Sequence, residues 1–196
     1  MTHDHGKKIE GITLAGRLGA GKSSTGDLLA QELGYKRFSG GKFFRDEANA
    51  RGMNFKDFHG LAEKDPSIDL VLDERQKKFL NTQEHYVIDS RLGHVFAPRA
   101  FNVFLEIDEH VAAERMLKDA VQNPDRQSES HITTVAEMIV ANRARVESNR
   151  KRYKELYGIE DHLDTTDCNI VVDTGNNDLA TVVKIIKDAY QSWLQE

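Results

Sequence analysis

The sequence predicts an α/β fold in which a five-stranded parallel sheet lies between two layers of helices. Five short apolar runs, rich in β-branched and aromatic residues, alternate with longer amphipathic segments along the 196 residues. Such alternation is typical of parallel sheets whose two faces are both covered by helices. The first run leads directly into the glycine-rich stretch GRLGAGKSS (16–24) and then into an amphipathic segment, which predicts strand, loop and helix in succession.

The apolar pattern gives each element in chain order. Strands are predicted over 9–15, 35–38, 85–90, 101–107 and 169–173. Helices are predicted over 23–33, 109–121 and 135–157, at the C-terminus, and within 43–80 with a break near 64–67. The C-terminal helix should present one apolar face, because its large apolar residues recur at the helical period: Leu179, Val182, Val183, Ile186, Tyr190, Trp193 and Leu194.

Composition narrows the classes of function. Hydrophobic residues make up 39% and charged residues 30%, as in soluble globular proteins. The net charge of −5 argues against a nucleic-acid polymer as partner. No apolar stretch approaches the roughly 20 residues that span a bilayer, and the first residues lack the apolar core of a signal peptide. Because Cys168 is the single cysteine, no intrachain disulfide forms. These features predict a cytoplasmic protein with no membrane partner.

The stretch 16–23 satisfies the pattern G-x-x-x-x-G-K-[ST] of a P-loop. Glycines allow the backbone to curl so that its N–H groups converge on a phosphate at the positive end of the following helix. A lysine at this position reaches the β- and γ-phosphates, and the hydroxyl that follows is a ligand for Mg²⁺. The motif therefore predicts a P-loop NTPase fold that binds ATP through Gly16, Gly19, Ala20, Gly21, Lys22, Ser23 and Ser24.

Four segments together resemble nucleoside monophosphate kinases, and the resemblance is closest to the short cytidylate kinases of archaeal type. They are GRLGAGKSS (16–24), FSGGKFFRDEANARGMNFKDFHGLAEKDPSID (38–69), VIDSRLG (87–93) and NRKRYKELYGI (149–159). The resemblance implies that ATP and Mg²⁺ are used to phosphorylate a pyrimidine monophosphate, CMP or dCMP. It also implies a single kinase domain over 1–196, with a core of about 9–38, 81–115 and 158–196, an acceptor-binding segment over 39–80 and a lid over 116–145.

The same resemblance implies roles for individual residues. Lys22, Arg91, Arg145 and Arg152 would be catalytic. The acceptor would be bound by Ser39, Arg45, Asp89, Arg91 and Asn149. Arg115 and Gly175 would complete the ATP site, and Arg126 in the lid would reach the phosphates. Ser23 would bind Mg²⁺ directly, while Asp89 would act on it through water or would orient Arg91. Arg145, Asn149 and Arg152 lie at i, i+4 and i+7 and so share one helix face.

Two positions in the sequence leave the identity of the acceptor undecided. Lys42 stands where the family usually has an acidic or small polar residue, and Asn149 stands where it usually has an acidic one. A cation at position 42 would suit a more anionic acceptor, so a P-loop kinase for another small molecule is an alternative. A nucleotide-binding protein that keeps the fold without turnover is a second alternative. The expected partners are nucleotides only, and the expected state is a monomer or a weak homodimer.

Overall fold

The structure of the protein is a computed structural model that describes residues 8–122 and 132–196. Five parallel strands form its sheet: β1 (Gly11–Gly16), β2 (Lys36–Ser39), β3 (Tyr86–Asp89), β4 (Phe101–Glu106) and β5 (Ile170–Asp173). Their spatial order is β2-β3-β1-β4-β5, and each neighbouring pair is parallel. The predicted fold class is thus confirmed, with strand ends moved by one or two residues.

The described helices are α1 (Lys22–Leu33), α2 (Gly40–Ala50), α3 (Phe55–Ala62), α4 (Ser67–Thr82), α5 (Gly93–Phe96), α6 (Glu109–Gln122), α7 (Val135–Tyr157) and α8 (Leu179–Gln195). The region predicted as helical with one break contains three helices. Gly52 follows α2 with a φ of 66°, and the Asn54 side chain accepts a hydrogen bond from the Asp57 amide to cap α3. The prediction also missed α5, because four residues are too few to show a helical period.

Helices cover both faces of the sheet. Val87 of β3 packs in the cluster that joins the sheet to α1 and α8, whereas its neighbour Ile88 packs in a second cluster with Phe79 of α4. This alternation is the two-residue period of a strand that is buried on both sides. The apolar face of α8 extends beyond its buried part, since Leu179 and Leu194 in the terminal turns are 42% and 38% exposed.

Two helical groups stand beside the sheet. The helices α2, α3 and α4 share a small core of their own around Phe44 and Phe58. The helices α6 and α7 pack together through Ala113, Met138 and Ile139. Residues 123–131 of the predicted lid, including Arg126, lie outside the described residues. Among the helices that the structure describes, none combines the length and apolar character needed to cross a membrane.

Candidate active site

The carboxyl ends of β1, β2 and β3 bring the predicted site residues to one edge of the sheet. Asp89 closes β3 in register with Ser39 at the end of β2 and with Leu14 of β1. Gly16 ends β1 and begins the P-loop, so the loop and Asp89 lie side by side. Ligands of open α/β sheets bind at this edge, which makes it the candidate active site.

The P-loop has a backbone that depends on glycine. Gly16 has a φ of 141°, and a Cβ at this position would lie 2.3 Å from the Leu105 carbonyl oxygen. Gly21 precedes α1 with a φ of 78°, in the left-handed region that favours glycine. No side chain caps α1, and its first turn holds no acidic residue. The first amides of α1 are therefore available to an anion, at the positive end of the helix dipole.

Lys22 lies folded over its own loop. Its Nζ donates hydrogen bonds to the carbonyl oxygens of Gly16 (2.8 Å) and Arg17 (2.5 Å). Burial lowers the pKa of Lys22 to about 7, with help from the positive charges of Arg91 and Arg145 and with opposition from Asp89. The predicted residues Arg91, Arg145 and Asp89 thus lie close enough to Lys22 to influence its charge, and an anion among them would favour the charged lysine.

Asp89 is paired with a residue that the sequence did not single out. Its carboxylate is 4% exposed, and Oδ2 accepts a hydrogen bond from Arg37 Nη2 at 2.6 Å. The same arginine binds Asp27 and donates to the Ser23 carbonyl oxygen. Asp89 therefore pairs with Arg37 and not with Arg91. The available signal was a cation inside the edge strand β2, two positions before Ser39.

The three predicted residues of α7 face the protein interior. Asn149 and Arg152 are 1% and 5% exposed, and Arg152 Nη2 donates to Asn149 Oδ1 at 2.9 Å. Arg152 also forms an ion pair with Asp69 of α4, with 3.3 Å between Nη1 and Oδ2. The guanidinium of Arg145 lies over the Phe55 ring, 4.8 Å from its centroid. This row therefore points toward α3 and α4, the segment predicted to bind the acceptor. Asp69 was not anticipated as its partner.

A cleft lies between the P-loop and α7. Its walls are formed by residues from four parts of the chain: Gly16, Leu18, Arg91, Val146, Asn149, His162 and Leu163. Arg91 Nη1 donates to the Tyr153 hydroxyl at 3.4 Å, which ties the end of β3 to α7. The cleft thus brings together three of the predicted site residues, Gly16, Arg91 and Asn149, and adds His162, which the sequence gave no reason to choose.

The remaining predicted acceptor residues lie on or beside α2. Ser39 Oγ accepts a hydrogen bond from the Lys42 amide and caps this helix. Arg45 is half-buried, and its side chain makes no hydrogen bond or ion pair with another described residue. The side chain of Lys42 is 69% exposed and forms an ion pair with Asp46, one turn along the helix. The expectation that Lys42 places a cation beside the acceptor therefore lacks support.

The two residues predicted to complete the ATP site contact each other. Arg115 of α6 donates a hydrogen bond from Nη2 to the Gly175 carbonyl oxygen at 3.3 Å. Gly175 lies in the turn after β5, where its amide donates to Asp173 Oδ1 at 2.7 Å. Arg115 itself is exposed. This contact joins α6 to the loop after β5 at the carboxyl edge of the sheet.

The buried carboxylates between α4 and α7 predict that the free energy of unfolding depends on pH. Asp73 of α4 is 6% exposed and accepts a hydrogen bond from the Tyr157 hydroxyl. Burial raises the pKa of Asp73 to about 6, and the nearby Asp69 adds to the effect. The folded state therefore binds more protons than the unfolded state between pH 4 and pH 6, so the free energy of unfolding falls as the pH rises through this range. Asp73→Asn keeps an acceptor for Tyr157 and should flatten that fall, measured by urea unfolding.

The control for this experiment is Asp46→Asn on exposed α2, which should leave the pH profile as it is in the wild type. Above pH 6 the Asp73→Asn protein should be more stable than the wild type, because no charge is buried at this position. Equal slopes for Asp73→Asn and the wild type would contradict the assignment.

Comparisons with known proteins agree with this architecture. The family model described as an AAA domain matches residues 12–136. A cytidylate kinase of Methanosphaera stadtmanae is 31% identical over 182 residues, which cover 92% of this chain and 98% of the relative. A cytidylate kinase of Methanocella arvoryzae is 32% identical over 176 residues, which cover 89% of this chain and 93% of the relative.

Solved structures with lower identity share the fold. A shikimate kinase from Bacteroides thetaiotaomicron is 13% identical with a TM-score of 0.58, over 95% of this chain and 97% of that chain. A gluconokinase from Sinorhizobium meliloti is 17% identical with a TM-score of 0.56, over 96% of each chain. At these identities the likeness concerns the arrangement of strands and helices alone.

Proposed function

This chain belongs to the cytidylate kinase family of P-loop phosphotransferases, and we propose that it transfers the γ-phosphoryl group of ATP to CMP or dCMP. The observation that supports this proposal most is the cleft, in which Gly16 of the P-loop faces Arg91 and Asn149. Two nucleotides carry phosphate chains that repel each other. They meet in line only where positive groups surround both chains.

On the donor side, Lys22 and the first amides of α1 bind the phosphate chain of ATP. When phosphates enter, Lys22 exchanges its hydrogen bonds to the Gly16 and Arg17 carbonyl oxygens for bonds to phosphate oxygens. Arg115 and the Gly175 loop lie farther along the same edge and contact the remainder of the nucleotide. The acidic turn at Asp173 fixes this loop through the Gly175 amide.

The residues predicted to hold Mg²⁺ fit this ion. The Ser23 hydroxyl makes no hydrogen bond to another described residue, and Asp89 has one carboxylate oxygen paired with Arg37 and a second left for a metal-bound water. Hydroxyl, carboxylate and water oxygens are the ligands that Mg²⁺ favours. When bound, the ion would neutralise charge on the donor phosphates. In residues 8–122 and 132–196, no group of three His, Cys, Asp or Glu side chains forms a protein-only metal site.

On the acceptor side, Arg91 lines the cleft, and Arg145 and Arg152 lie on the face of α7 that carries Asn149, toward α3 and α4. A guanidinium binds a phosphate through two parallel hydrogen bonds. The acceptor's own phosphate oxygen is the nucleophile, so the protein needs no nucleophilic side chain. Catalysis consists of holding both phosphates in line and neutralising the charge of the transition state.

The choice of CMP or dCMP rests on the names of the relatives, at about 30% identity. A P-loop kinase for a more anionic small molecule was suggested by Lys42. Because that side chain is exposed and paired with Asp46, no feature of the described structure favours the other acceptor class.

A coupled ADP-release assay across acceptors tests the proposal. With ATP and Mg²⁺ present, CMP or dCMP should give the highest kcat/KM in a panel that also contains UMP, AMP and GMP. ATP without an acceptor should release little ADP, because a kinase site excludes water. The Lys22→Ala protein, prepared in parallel, controls for contaminating kinases. Preference for UMP or AMP would overturn the proposed base, and activity on none of the panel would overturn the proposed reaction.

A further inference from the structure

The loop between α7 and β5 supplies one wall of the cleft. Gly158 ends α7 with a φ of 69°, and the chain then turns back toward the P-loop. His162 in this loop is only 4% exposed, yet it lines the cleft together with Gly16, Arg91 and Asn149. Its position is therefore between the predicted donor and acceptor groups.

The imidazole of His162 is held in place by a ring contact. Its plane stands edge-on to the Tyr153 ring, at 80° and with 5.3 Å between the centroids. The hydroxyl of Tyr153 in turn accepts the hydrogen bond from Arg91. His162 and Arg91 thus contact the same tyrosine of α7, His162 through the tyrosine ring and Arg91 through its hydroxyl.

One polar atom of His162 lacks a partner. Nδ1 is buried and makes no hydrogen bond within the described part of the chain. Nearly all buried polar side-chain atoms in proteins do have a partner, so an unpartnered nitrogen in a cleft indicates a ligand that supplies one. The phosphate oxygens of a nucleotide supply strong acceptors for an imidazole N–H.

The protonation state of His162 also suits a site that binds polyanions and already contains several cations. The charged groups that face it are Lys22 of α1, Arg91 after β3, Arg150 of α7 and Asp161 of its own loop. Burial, followed by the charge of Arg91, lowers the pKa of His162 to about 4. The ring is therefore uncharged at neutral pH. It donates a hydrogen bond without adding to the mutual repulsion of Lys22 and Arg91.

We propose that His162 is a further phosphate ligand of this enzyme, which donates a hydrogen bond from its imidazole to the phosphoryl group that passes between the two nucleotides. This inference rests on the proposed function for the identity of the ligand. It adds to the proposed phosphate ligands a residue that belongs neither to the P-loop nor to the arginines of α7.

Binding measurements with the donor alone test the proposal at pH 7.5. The probes are ADP and an ATP analogue with an imido bridge to the γ-phosphate, each with Mg²⁺, titrated by calorimetry. His162→Ala should weaken binding of the analogue about tenfold, the loss of one hydrogen bond to a charged group, and should change ADP binding less than twofold. His162→Asn or His162→Gln, which keep an N–H donor near one ring nitrogen, should restore most of the affinity. His85→Ala, an exposed histidine before β3, should change neither affinity.

A structural role for His162 predicts a different outcome. Equal losses of ADP and analogue binding in His162→Ala, or no loss of either, would overturn the proposal. Should His162→Ala fail to fold, histidine-labelled wild-type protein gives the same answer by NMR. The ring signals of His162 should shift on adding the analogue and stay in place on adding ADP; unchanged signals in both cases would overturn the proposal. Because these titrations contain no acceptor, their outcome can be interpreted even if the CMP assay fails.

Discussion

Replacing Lys22 with alanine is expected to lower kcat by about 10²–10³-fold, since one preorganised cation is removed from the transition state. The Nζ atom hydrogen-bonds to the first two residues of the P-loop, Gly16 and Arg17, so the side chain already lies where phosphates would enter. No rearrangement of the backbone is needed to transfer those bonds to a ligand. The measurement is steady-state ADP release at saturating ATP and acceptor.

The matched control for this variant is Lys42→Ala. Lys42 is 69% exposed on α2 and pairs with Asp46, so its loss should change kcat less than twofold. The melting temperature of Lys22→Ala should stay near that of the wild type, because burial already disfavours the charged form of this lysine. Near-normal turnover by Lys22→Ala would show that the donor phosphates bind elsewhere.

The sequence predicted the sheet and the phosphate loop well, because both leave local signals. Strands β1 and β4 are runs of buried apolar residues, and the P-loop carries a fixed pattern of glycine, lysine and serine. The four-residue helix α5 has no such signal and was missed. The exposed ends of α8 show the same limit, since the helical period identifies a face without telling where its burial stops.

The ion pairs of the site were harder to predict than its cations. Arg37 and Asp89 lie 52 positions apart in the chain and meet because β2 and β3 are neighbours in register. Neither the sequence around Arg37 nor the sequence around Asp89 indicates the other residue as its partner. The pair between Asp69 and Arg152 likewise depends on how α4 packs against α7. His162 carries no motif, and its place in the cleft follows from the turn at Gly158.

Lys42 shows the opposite case, in which a position in the sequence suggested a role for which the described structure offers no support. Because α2 begins at Gly40, Lys42 lies in its first turn and Asp46 follows one turn later. An i, i+4 pair of opposite charges forms on the helix surface and satisfies the lysine there. Asn149 lines the cleft, so it is the better of the two positions at which to test the proposed specificity for the acceptor.

Replacing Arg91 with alanine is expected to lower kcat by about 10²-fold and to raise the KM for the acceptor, with little change in the KM for ATP. The guanidinium lines the cleft opposite the P-loop, and it is anchored by the Tyr153 hydroxyl. Arg91→Lys keeps the charge and loses the two-pronged contact with phosphate, so its KM should lie between those of the wild type and the alanine variant. Arg99→Ala, an exposed arginine, serves as the control.

The charge of Arg91 should also affect the binding of the donor, ATP. Arg91 is one of the cations that hold the pKa of Lys22 near 7, so the affinity for ATP should fall as the pH rises through this value and Lys22 loses its proton. In Arg91→Ala the pKa of Lys22 rises, and the fall in affinity should move to higher pH. Titrations of the ATP analogue between pH 6 and pH 9 measure this shift. If Arg91→Ala leaves the pH profile of analogue binding unchanged and raises only the KM for ATP, Arg91 contacts the donor. The proposed assignment of Arg91 to the acceptor side of the cleft is then wrong.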